Sequence, residues 1–230
     1  MNQLFVFDLG ETLVTYQGVP LNWSQHYEPA LKLALSQMAV DFNAGQLALA
    51  TSILSFYNTR TSPRLFELEE SEVLKKVALV FDTASEDLEA LFFGYFQRKA
   101  LPEATAERTL SGLKNKGVKM AVLSDAPYGM PKRFIKDDLG SLQTWLDEVC
   151  TSCDIGYRKP HPYGLEYLMA KHGASVETTV FVGNEGKDVE CATRAGVTSI
   201  LLDPTGEHEF GQDYRIKELS DVMDIDQSSS

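Results

Sequence analysis

The chain has 230 residues, of which 43% are hydrophobic and 23% charged, a composition typical of a globular protein with a substantial core. Lysine and arginine total 21 against 33 acidic residues, and the net charge of -12 argues against a nucleic-acid partner because no basic stripe offsets it. No apolar stretch is long enough to span a bilayer and the first residues lack a signal-peptide pattern, so we expect no membrane association and a cytoplasmic location.

Short apolar runs recur along the chain, and each ends abruptly in polar or small residues. Runs at 4–7, 120–123, 180–182 and 199–202 predict strands that are covered on both faces, as in a parallel sheet. Helical segments at 105–116, 162–172 and 187–195 lie between them, and each is followed by glycine, a helix stop signal. Alternating strands and helices predict an α/β fold with a Rossmann-like parallel sheet.

One region breaks the alternation. Residues 23–99 contain no strand pattern, only four segments with apolar residues at helical spacing. We therefore predict two units, a Rossmann-like core from residues 1–15 and 100–230 and an inserted all-helical cap from residues 16–99. The stretch 14–23, with Gly18 and Pro20, is the predicted hinge.

Polar residues stand where the predicted strands end. In an open parallel sheet, ligands bind beyond the carboxyl ends of the strands, so these side chains should meet in one crevice. Any one of them alone is more typical of a turn, a helix cap or a solvated side chain. The residues are Asp8 after the first strand, Ser124 and Asp125 after the second, Lys159 ahead of a helix, and Asn184, Glu185 and Asp188 after the third strand.

Four segments resemble, in order, the four motifs of the haloacid dehalogenase superfamily. They read F-D-L-G-E-T-L, V-L-S-D, G-Y-R-K-P and V-F-V-G-N-E-G-K-D-V-E-C-A-T-R-A-G-V, and they extend over nearly all of the predicted core. The helical segment sits where that superfamily places its C1 cap. The resemblance implies a hydrolase whose Asp8 attacks phosphorus and forms an aspartyl-phosphate intermediate.

The resemblance also implies roles for the other motif residues. Thr12 would brace the loop after Asp8 through its hydroxyl group. Mg²⁺ would be the cofactor, because a carboxylate that approaches a phosphate needs positive charge nearby. The implied metal ligands are Asp8, the Gly10 carbonyl, Asn184 and Asp188, and the implied substrate contacts are Ser124, Asp125, Lys159 and Gly10.

Two positions depart from the commonest family pattern. Most phosphatases of this superfamily have a second aspartate where this chain has Gly10, and that residue serves as general acid and base. Many relatives also have a metal-binding aspartate where this chain has Asn184, so we expect modest metal affinity. A good leaving group, a metal-bound water, Glu11 or a cap residue would have to replace the missing proton transfer.

We therefore predict a Mg²⁺-dependent phosphatase that acts on a small phosphorylated metabolite, as a monomer or a homodimer. One alternative is a catalytically weakened binding or regulatory protein. A second is a metal-independent haloacid dehalogenase in which Asp8 attacks carbon, although relatives with that activity carry an aromatic residue at the position of Gly10. The three cysteines, with Cys150 and Cys153 as the only close pair, are interpreted as buried, inert thiols.

Overall fold

A computed structural model describes residues 3–225, and within this range the chain forms eight strands. Six of them build one parallel sheet, and the other two pair with each other. The strands are β1 (Leu4–Phe7), β2 (Val14–Tyr16), β3 (Ala100–Pro102), β4 (Lys119–Ser124), β5 (Glu148–Thr151), β6 (Thr179–Gly183), β7 (Thr198–Leu202) and β8 (Tyr214–Ile216).

Nine α-helices lie within the same residues, and none is long and apolar enough to cross a membrane. Four of them fall between β2 and β3, and the other five follow β3. The helices are α1 (Tyr27–Gln37), α2 (Ala44–Phe56), α3 (Glu72–Val80), α4 (Ser85–Gln97), α5 (Ala106–Asn115), α6 (Lys132–Leu139), α7 (Ser152–Ile155), α8 (Tyr163–His172) and α9 (Gly186–Ala195).

The main sheet has the strand order β5-β4-β1-β6-β7-β8, with every neighbouring pair parallel. Successive residues of β1 point to opposite faces. Leu4 and Val6 belong to the apolar cluster formed with α8 and α9, whereas Phe5 and Phe7 belong to the cluster on the α5 side. The predicted α/β Rossmann-like core is therefore confirmed.

Two strands of this sheet were not predicted from the sequence. β5 reads Glu-Val-Cys-Thr and β8 reads Tyr-Arg-Ile, so both are short and mix polar with apolar residues. Each occupies an edge of the sheet, where only one side needs a hydrogen-bonded neighbour. An edge strand needs no continuous apolar run, which is the pattern that identified the buried strands.

Residues 17–99, which we call the helical insert, contain α1–α4. Their predicted apolar stripes are buried, as with Leu31 and Leu35 on α1 and Leu88 and Phe92 on α4. Helix α1 packs on α4, α4 on α3, and α3 on α2, and their apolar side chains form one continuous cluster with the α5 side of the core. The inserted helical unit is confirmed, while the exact bounds of 16 and 99 stay a prediction.

The two chain segments that enter and leave the insert form an antiparallel ribbon. Val14 of β2 faces Pro102 of β3, and Tyr16 faces Ala100. Val14–Tyr16 is a paired strand and a 3₁₀ helix starts at Trp23. Residues 17–22 are therefore the part of the predicted hinge without helix or strand structure.

A buried contact attaches this ribbon to the core. The Tyr16 hydroxyl donates to Asp138 Oδ2 on α6 at 2.7 Å, and Asp138 is only 8% exposed. Burial raises the pKa of Asp138 to about 6, although the hydrogen bond from Tyr16 opposes this shift. The folded protein therefore holds the Asp138 proton more tightly than the unfolded chain does.

This linkage predicts that Asp138→Asn raises the free energy of unfolding at pH 7.5 by about 1–2 kcal/mol and changes it little at pH 4. The reason is that wild-type stability falls as the pH rises from about 4 through 6 and the buried carboxyl loses its proton. Urea unfolding at the two pH values measures this difference. Asp41→Asn, an exposed change of the same chemistry that does not contribute to the pKa of Asp138, is the control and should change neither value. An equal gain at both pH values would contradict the explanation.

Candidate active site

Asp8 stands directly after β1, at the carboxyl edge of the sheet. Its backbone N–H donates to the Val182 carbonyl at 2.8 Å and extends the pairing of β1 with β6 by one residue. The chain then turns at once, because the amides of Leu13 and Val14 both donate to the Leu9 carbonyl, at 2.9 and 3.0 Å. Backbone hydrogen bonds on both sides thus fix the position of the Asp8 carboxyl group.

Lys159 lies between α7 and α8 and contacts two carboxylates. Its Nζ donates to Asp8 Oδ1 and lies 2.7 Å from Asp188 Oδ1, and all three residues are buried. Burial disfavours the ammonium, but the charges of Asp188 and Asp8 outweigh that effect and raise the pKa of Lys159 well above its usual value. Lys159 therefore stays protonated between the two aspartates.

The ionisation of Asp8 depends on the same cluster. Burial raises the pKa of Asp8 to about 6, Asp188 acts in the same direction, and Lys159 opposes both. At neutral pH the Asp8 carboxyl is therefore largely ionised, as a nucleophilic carboxylate must be.

Asp188 is placed by the start of α9. Its Oδ2 accepts hydrogen bonds from the backbone amides of Asn184 and Glu185, at 3.2 and 3.0 Å, which caps the helix. Gly183, the last residue of β6, makes room for this side chain, since a Cβ atom at position 183 would lie 2.5 Å from Asp188 Cβ and Oδ2. The sequence G-N-E-G-K-D therefore turns the chain so that Asp188 faces Lys159.

The side chains of Thr12 and Asn184 contact each other. Thr12 is fully buried, and its hydroxyl donates to the Asn184 amide oxygen at 3.4 Å, a long hydrogen bond. This contact ties the loop that follows β1 to the loop that follows β6. The bracing role predicted for Thr12 fits this position.

Ser124 is the last residue of β4 rather than the first after it, Asp125 follows directly, and both line the same cavity as Asp8 and Gly10. Asp125 is already engaged, since its Oδ1 accepts from the Lys159 backbone amide and its Oδ2 from Lys187 Nζ, both at 3.0 Å. Against the effect of burial, the charges of Lys187 and Arg158 hold the pKa of Asp125 well below its usual value. These contacts favour a positioning role for Asp125, while its direct contact with substrate stays a prediction.

The oxygen donors around Asp8 suit a divalent cation. Within residues 3–225, no three acidic, histidine or cysteine side chains cluster as a metal site. Two carboxylates, Asp8 and Asp188, stand with neutral oxygens available from Asn184 and the Gly10 backbone. Asp188 Oδ1 is buried and accepts no well-formed hydrogen bond from the described residues, although it is ion-paired with Lys159. Hard oxygen donors of this kind fit Mg²⁺, which needs few protein ligands because it retains water.

Arg60, from the loop between α2 and α3, reaches across to the core. Its guanidinium donates to both carboxylate oxygens of Glu185, with NH2 to Oε2 at 3.0 Å. Against the effect of burial, Arg60 and Lys187 lower the pKa of Glu185 to about 2. Sequence reasoning missed this pair, because nothing near Arg60 in the sequence indicates a partner 125 positions away.

A second segment of the insert, residues 65–67, pairs with the loop that carries Lys159. The Glu67 amide donates to the Gly156 carbonyl at 2.9 Å, and the Arg158 amide donates to the Leu65 carbonyl at 2.8 Å. The Arg158 guanidinium also donates to Glu67, whose side chain is fully buried. Two arginine–carboxylate pairs thus join the insert and the core. Arg60 of the insert binds Glu185 of the core, and Arg158 of the core binds Glu67 of the insert.

The cysteines lie outside this arrangement. Cys150 and Cys191 are buried, whereas Cys153 is half-buried, and all three are free thiols. Burial raises the pKa of each to about 12, which keeps the thiols protonated and unreactive. The interpretation as inert thiols fits, with Cys153 less enclosed than expected.

The insert covers a cavity of about 130 Å³ above Asp8. Its floor contains Asp8, Ser124 and Asp125, which the sequence placed at strand ends, and Gly10, which the resemblance placed at the site. Lys159 reaches the cavity floor through its contact with Asp8, and it lines a neighbouring opening together with Arg60 and Lys187. The arrangement offers a buried carboxylate, an adjacent cation and further oxygen donors, a combination that suits phosphoryl transfer through a carboxylate.

Comparison with known proteins establishes the family. The profile of the haloacid dehalogenase-like hydrolases matches residues 3–196, which is most of the chain. The chain therefore belongs to the haloacid dehalogenase-like hydrolases, and the resemblance carried by the four motifs is confirmed.

Two relatives and one solved structure show how far the similarity extends. Glyceraldehyde 3-phosphate phosphatase of Methanothermobacter thermautotrophicus is 32% identical over 133 residues, 57% of this chain and 56% of that protein. Pyrophosphatase PpaX of Oceanobacillus iheyensis is 26% identical over 122 residues, 51% of this chain and 56% of that protein. The matched stretch therefore spans little more than half of either relative.

The crystal structure of 2-haloacid dehalogenase from Pseudomonas syringae pv. Tomato DC3000 superposes with a TM-score of 0.70 over 97% of both chains. Its sequence is only 20% identical to this chain, so the likeness shows the fold alone.

The geometry at Gly183 predicts that Gly183→Ala displaces Asp188, because the added methyl group has no room. We expect the free energy of unfolding to fall by about 1–3 kcal/mol, the usual result of overpacking, and Mg²⁺ affinity to fall with it. Thermal unfolding and Mg²⁺ titration measure the two effects. Gly94→Ala on α4, where an added Cβ meets nothing within 4 Å, is the matched control and should stabilise the protein by about 0.5–1 kcal/mol. Unchanged stability and Mg²⁺ binding in Gly183→Ala would refute this account of Asp188.

Proposed function

We propose that the protein is a Mg²⁺-dependent phosphatase that hydrolyses a small phosphomonoester through an aspartyl-phosphate on Asp8. The observation that carries this proposal is the buried contact of Lys159 with both Asp8 and Asp188 at the carboxyl edge of the sheet. An ordinary surface ion pair would not require two carboxylates to be buried with one ammonium.

The reaction has two displacements. In the first, an Asp8 carboxylate oxygen attacks phosphorus, the bond from phosphorus to the alcohol oxygen breaks, and the alkoxide leaves and takes a proton from solvent water. In the second, water attacks the same phosphorus and gives one proton to the solvent, the bond to Asp8 breaks, and hydrogen phosphate leaves. Asp8 returns to its starting state, so atoms and charge balance over the cycle.

Other residues reduce the charge repulsion in both steps. The Lys159 ammonium lies against Asp8 and would attract the phosphoryl oxygens as they approach. Ser124 lines the cavity beside Asp8 and would donate its hydroxyl hydrogen to a phosphoryl oxygen. Asp8, Asp188, the Asn184 amide oxygen and the Gly10 carbonyl would hold Mg²⁺, which supplies further positive charge at the phosphate.

Proton transfer is the weak point of this site. Gly10 offers no side chain, and the space above it is partly taken by Tyr16, whose Cε2 atom lies 3.9 Å from where a Cβ atom would be. Glu11, one possible substitute, accepts a hydrogen bond from the Tyr16 backbone amide through Oε1 at 3.1 Å. The leaving alcohol would therefore depend on water or on its own acidity, which favours substrates with good leaving groups.

The alternative of a binding or regulatory protein is favoured by the same two positions, Gly10 and Asn184. Tight binding of phosphorylated compounds without release of phosphate from a broad panel would support it. The dehalogenase alternative has no support beyond the shared fold. The named substrates of the two relatives differ, so neither is assigned to this chain, and the cytoplasmic location and the monomeric or dimeric state stay predictions.

The nucleophile assignment predicts that Asp8→Asn lowers hydrolysis of p-nitrophenyl phosphate by at least about 10³-fold, because no carboxylate remains to attack phosphorus. Release of p-nitrophenol measures the rate, and the wild-type activity should require Mg²⁺ and disappear with EDTA. Asp41→Asn, an exposed change of the same chemistry, is the control and should keep full activity. Activity that survives in Asp8→Asn would exclude this mechanism.

The missing proton donor predicts that Gly10→Asp raises turnover of alkyl phosphates, whose poor leaving groups need a proton. A general acid contributes about 10² to 10⁴ in rate when well placed, so a gain of at least about ten-fold is expected even with imperfect placement. The substitution fits sterically, since only Tyr16 lies within 4 Å of the new Cβ atom. Gly10→Asn, similar in size but unable to donate a carboxylic acid proton, is the matched control. Equal rates for Gly10→Asp and Gly10→Asn would show that the shuttle is not limiting.

A further inference from the structure

The cavity above Asp8 has an apolar upper part. Residues of the insert and of the core contribute aliphatic and aromatic side chains to its walls, opposite the polar floor formed by Asp8 and Ser124. Among them are Val19, Leu21, Trp23, Tyr128, Met130 and Ile135. Trp23 is held rigidly, since its ring stacks on Phe96 with a centroid distance of 3.8 Å and an interplanar angle of 10°.

Of the three tyrosines that line this cavity, Tyr16, Tyr57 and Tyr128, the hydroxyls of Tyr16 and Tyr128 are already hydrogen-bonded within the protein. The Tyr16 hydroxyl donates to Asp138 at 2.7 Å, and the Tyr128 hydroxyl is hydrogen-bonded to the Tyr27 hydroxyl. Both tyrosines therefore offer the cavity their rings rather than free donors. A substrate with many hydroxyl groups would lose hydrogen bonds to water here and regain few.

Every basic residue that lines the described part of this cavity is paired with a carboxylate. Arg60 is bound to Glu185, Arg158 to Glu67, and Lys187 to Asp125 at 3.0 Å. A second anionic group on the substrate would have to separate one of these pairs and leave a carboxylate without its partner. The phosphate itself would be met at the floor by Lys159 together with the Mg²⁺ that the candidate ligands would hold, whose charge the two aspartates do not cancel.

The volume limits the size of the group that can fill this apolar part. A closed cavity of about 150 Å³ accommodates a benzene molecule, and this cavity measures about 130 Å³, although it opens to solvent. Because the polar floor, where the phosphate would bind, belongs to the same cavity, the enclosed part of the leaving group is smaller than one ring.

We propose that this site selects phosphomonoesters whose leaving group is uncharged, compact and mainly apolar, and that it rejects esters with a second negative charge. The inference rests on the proposed phosphatase function and adds the class of alcohol. The apolar walls supply binding energy by burying the leaving group. The cations are already paired with carboxylates and are therefore not available to bind a second anion.

The test compares two substrates of nearly the same size, 4-carbamoylphenyl phosphate and 4-carboxyphenyl phosphate, with Mg²⁺ present. We expect kcat/KM to be at least about ten-fold higher for the uncharged amide. The two phenols differ slightly in acidity, so the ratio is also measured in Leu21→Lys, which adds an unpaired cation at a 46% exposed position of the wall. The ratio should fall towards one in Leu21→Lys and stay high in Leu21→Gln, the neutral control.

Acetyl phosphate, which does not need the apolar walls, separates this inference from the proposed function. If acetyl phosphate is hydrolysed but the carboxylate ester is used as well as the amide, the inference fails and the phosphatase function stands. A preference that does not change in Leu21→Lys would also overturn it, since charge would not be the cause.

If no phosphate is released from any compound, the proposed function fails. Binding of the corresponding phosphonates, measured by calorimetry, then decides the preference of the cavity. At least about ten-fold tighter binding of 4-carbamoylphenylphosphonate than of 4-carboxyphenylphosphonate would support it, and equal binding would overturn it.

Discussion

The site depends on one buried lysine that is shared by two aspartates. Lys159 holds Asp8 and Asp188 together in a region from which water is largely excluded. Burying any one of these charges alone would be strongly unfavourable, so each side chain is tolerated only because the others are present. Two carboxylates and one ammonium leave one negative charge, which a divalent cation would neutralise. Burial, together with the charge of Asp188, raises the pKa of Asp8 to about 6 in spite of its contact with Lys159.

The charges around this centre extend into the helical insert. The Lys159 backbone is fixed by Asp125, and Asp125 in turn is ion-paired with Lys187 and lies 3.7 Å from the Arg158 guanidinium. Arg158 then binds Glu67 of the insert, while Arg60 of the insert binds Glu185 of the core. The side chains that close the cavity are therefore electrostatically connected to those that would carry out the chemistry. The position of the insert and the charge state of the site should change together.

The parts that were predictable from sequence are those set by local patterns. Buried parallel strands read as apolar runs, and their ends expose the polar residue that follows, so Asp8, Ser124 and Asp188 were assigned to one edge of the sheet. Lys159 was assigned to the same edge because it precedes the helix predicted at 162–172. The predicted site roles themselves remain to be measured.

Other features depend on contacts between residues far apart in the chain, which no local pattern encodes. The ribbon of Val14–Tyr16 with Ala100–Pro102 joins segments separated by the entire insert, and neither segment shows strand alternation. The Arg60–Glu185 pair joins residues that are 125 positions apart in the sequence. The position of Tyr16 beside Gly10 could not be predicted either, because glycine has no side chain whose type would indicate a neighbour.

The most direct test of the central claim is a crystal structure of the protein grown with Mg²⁺ and beryllium fluoride, which mimics a phosphoryl group on a carboxylate. The account predicts beryllium fluoride attached to an Asp8 carboxylate oxygen, with Lys159 Nζ within hydrogen-bond distance and Mg²⁺ held between Asp8 and Asp188. A bare Asp8 carboxylate beside a fully occupied ligand elsewhere, or Mg²⁺ bound away from both aspartates, would contradict it.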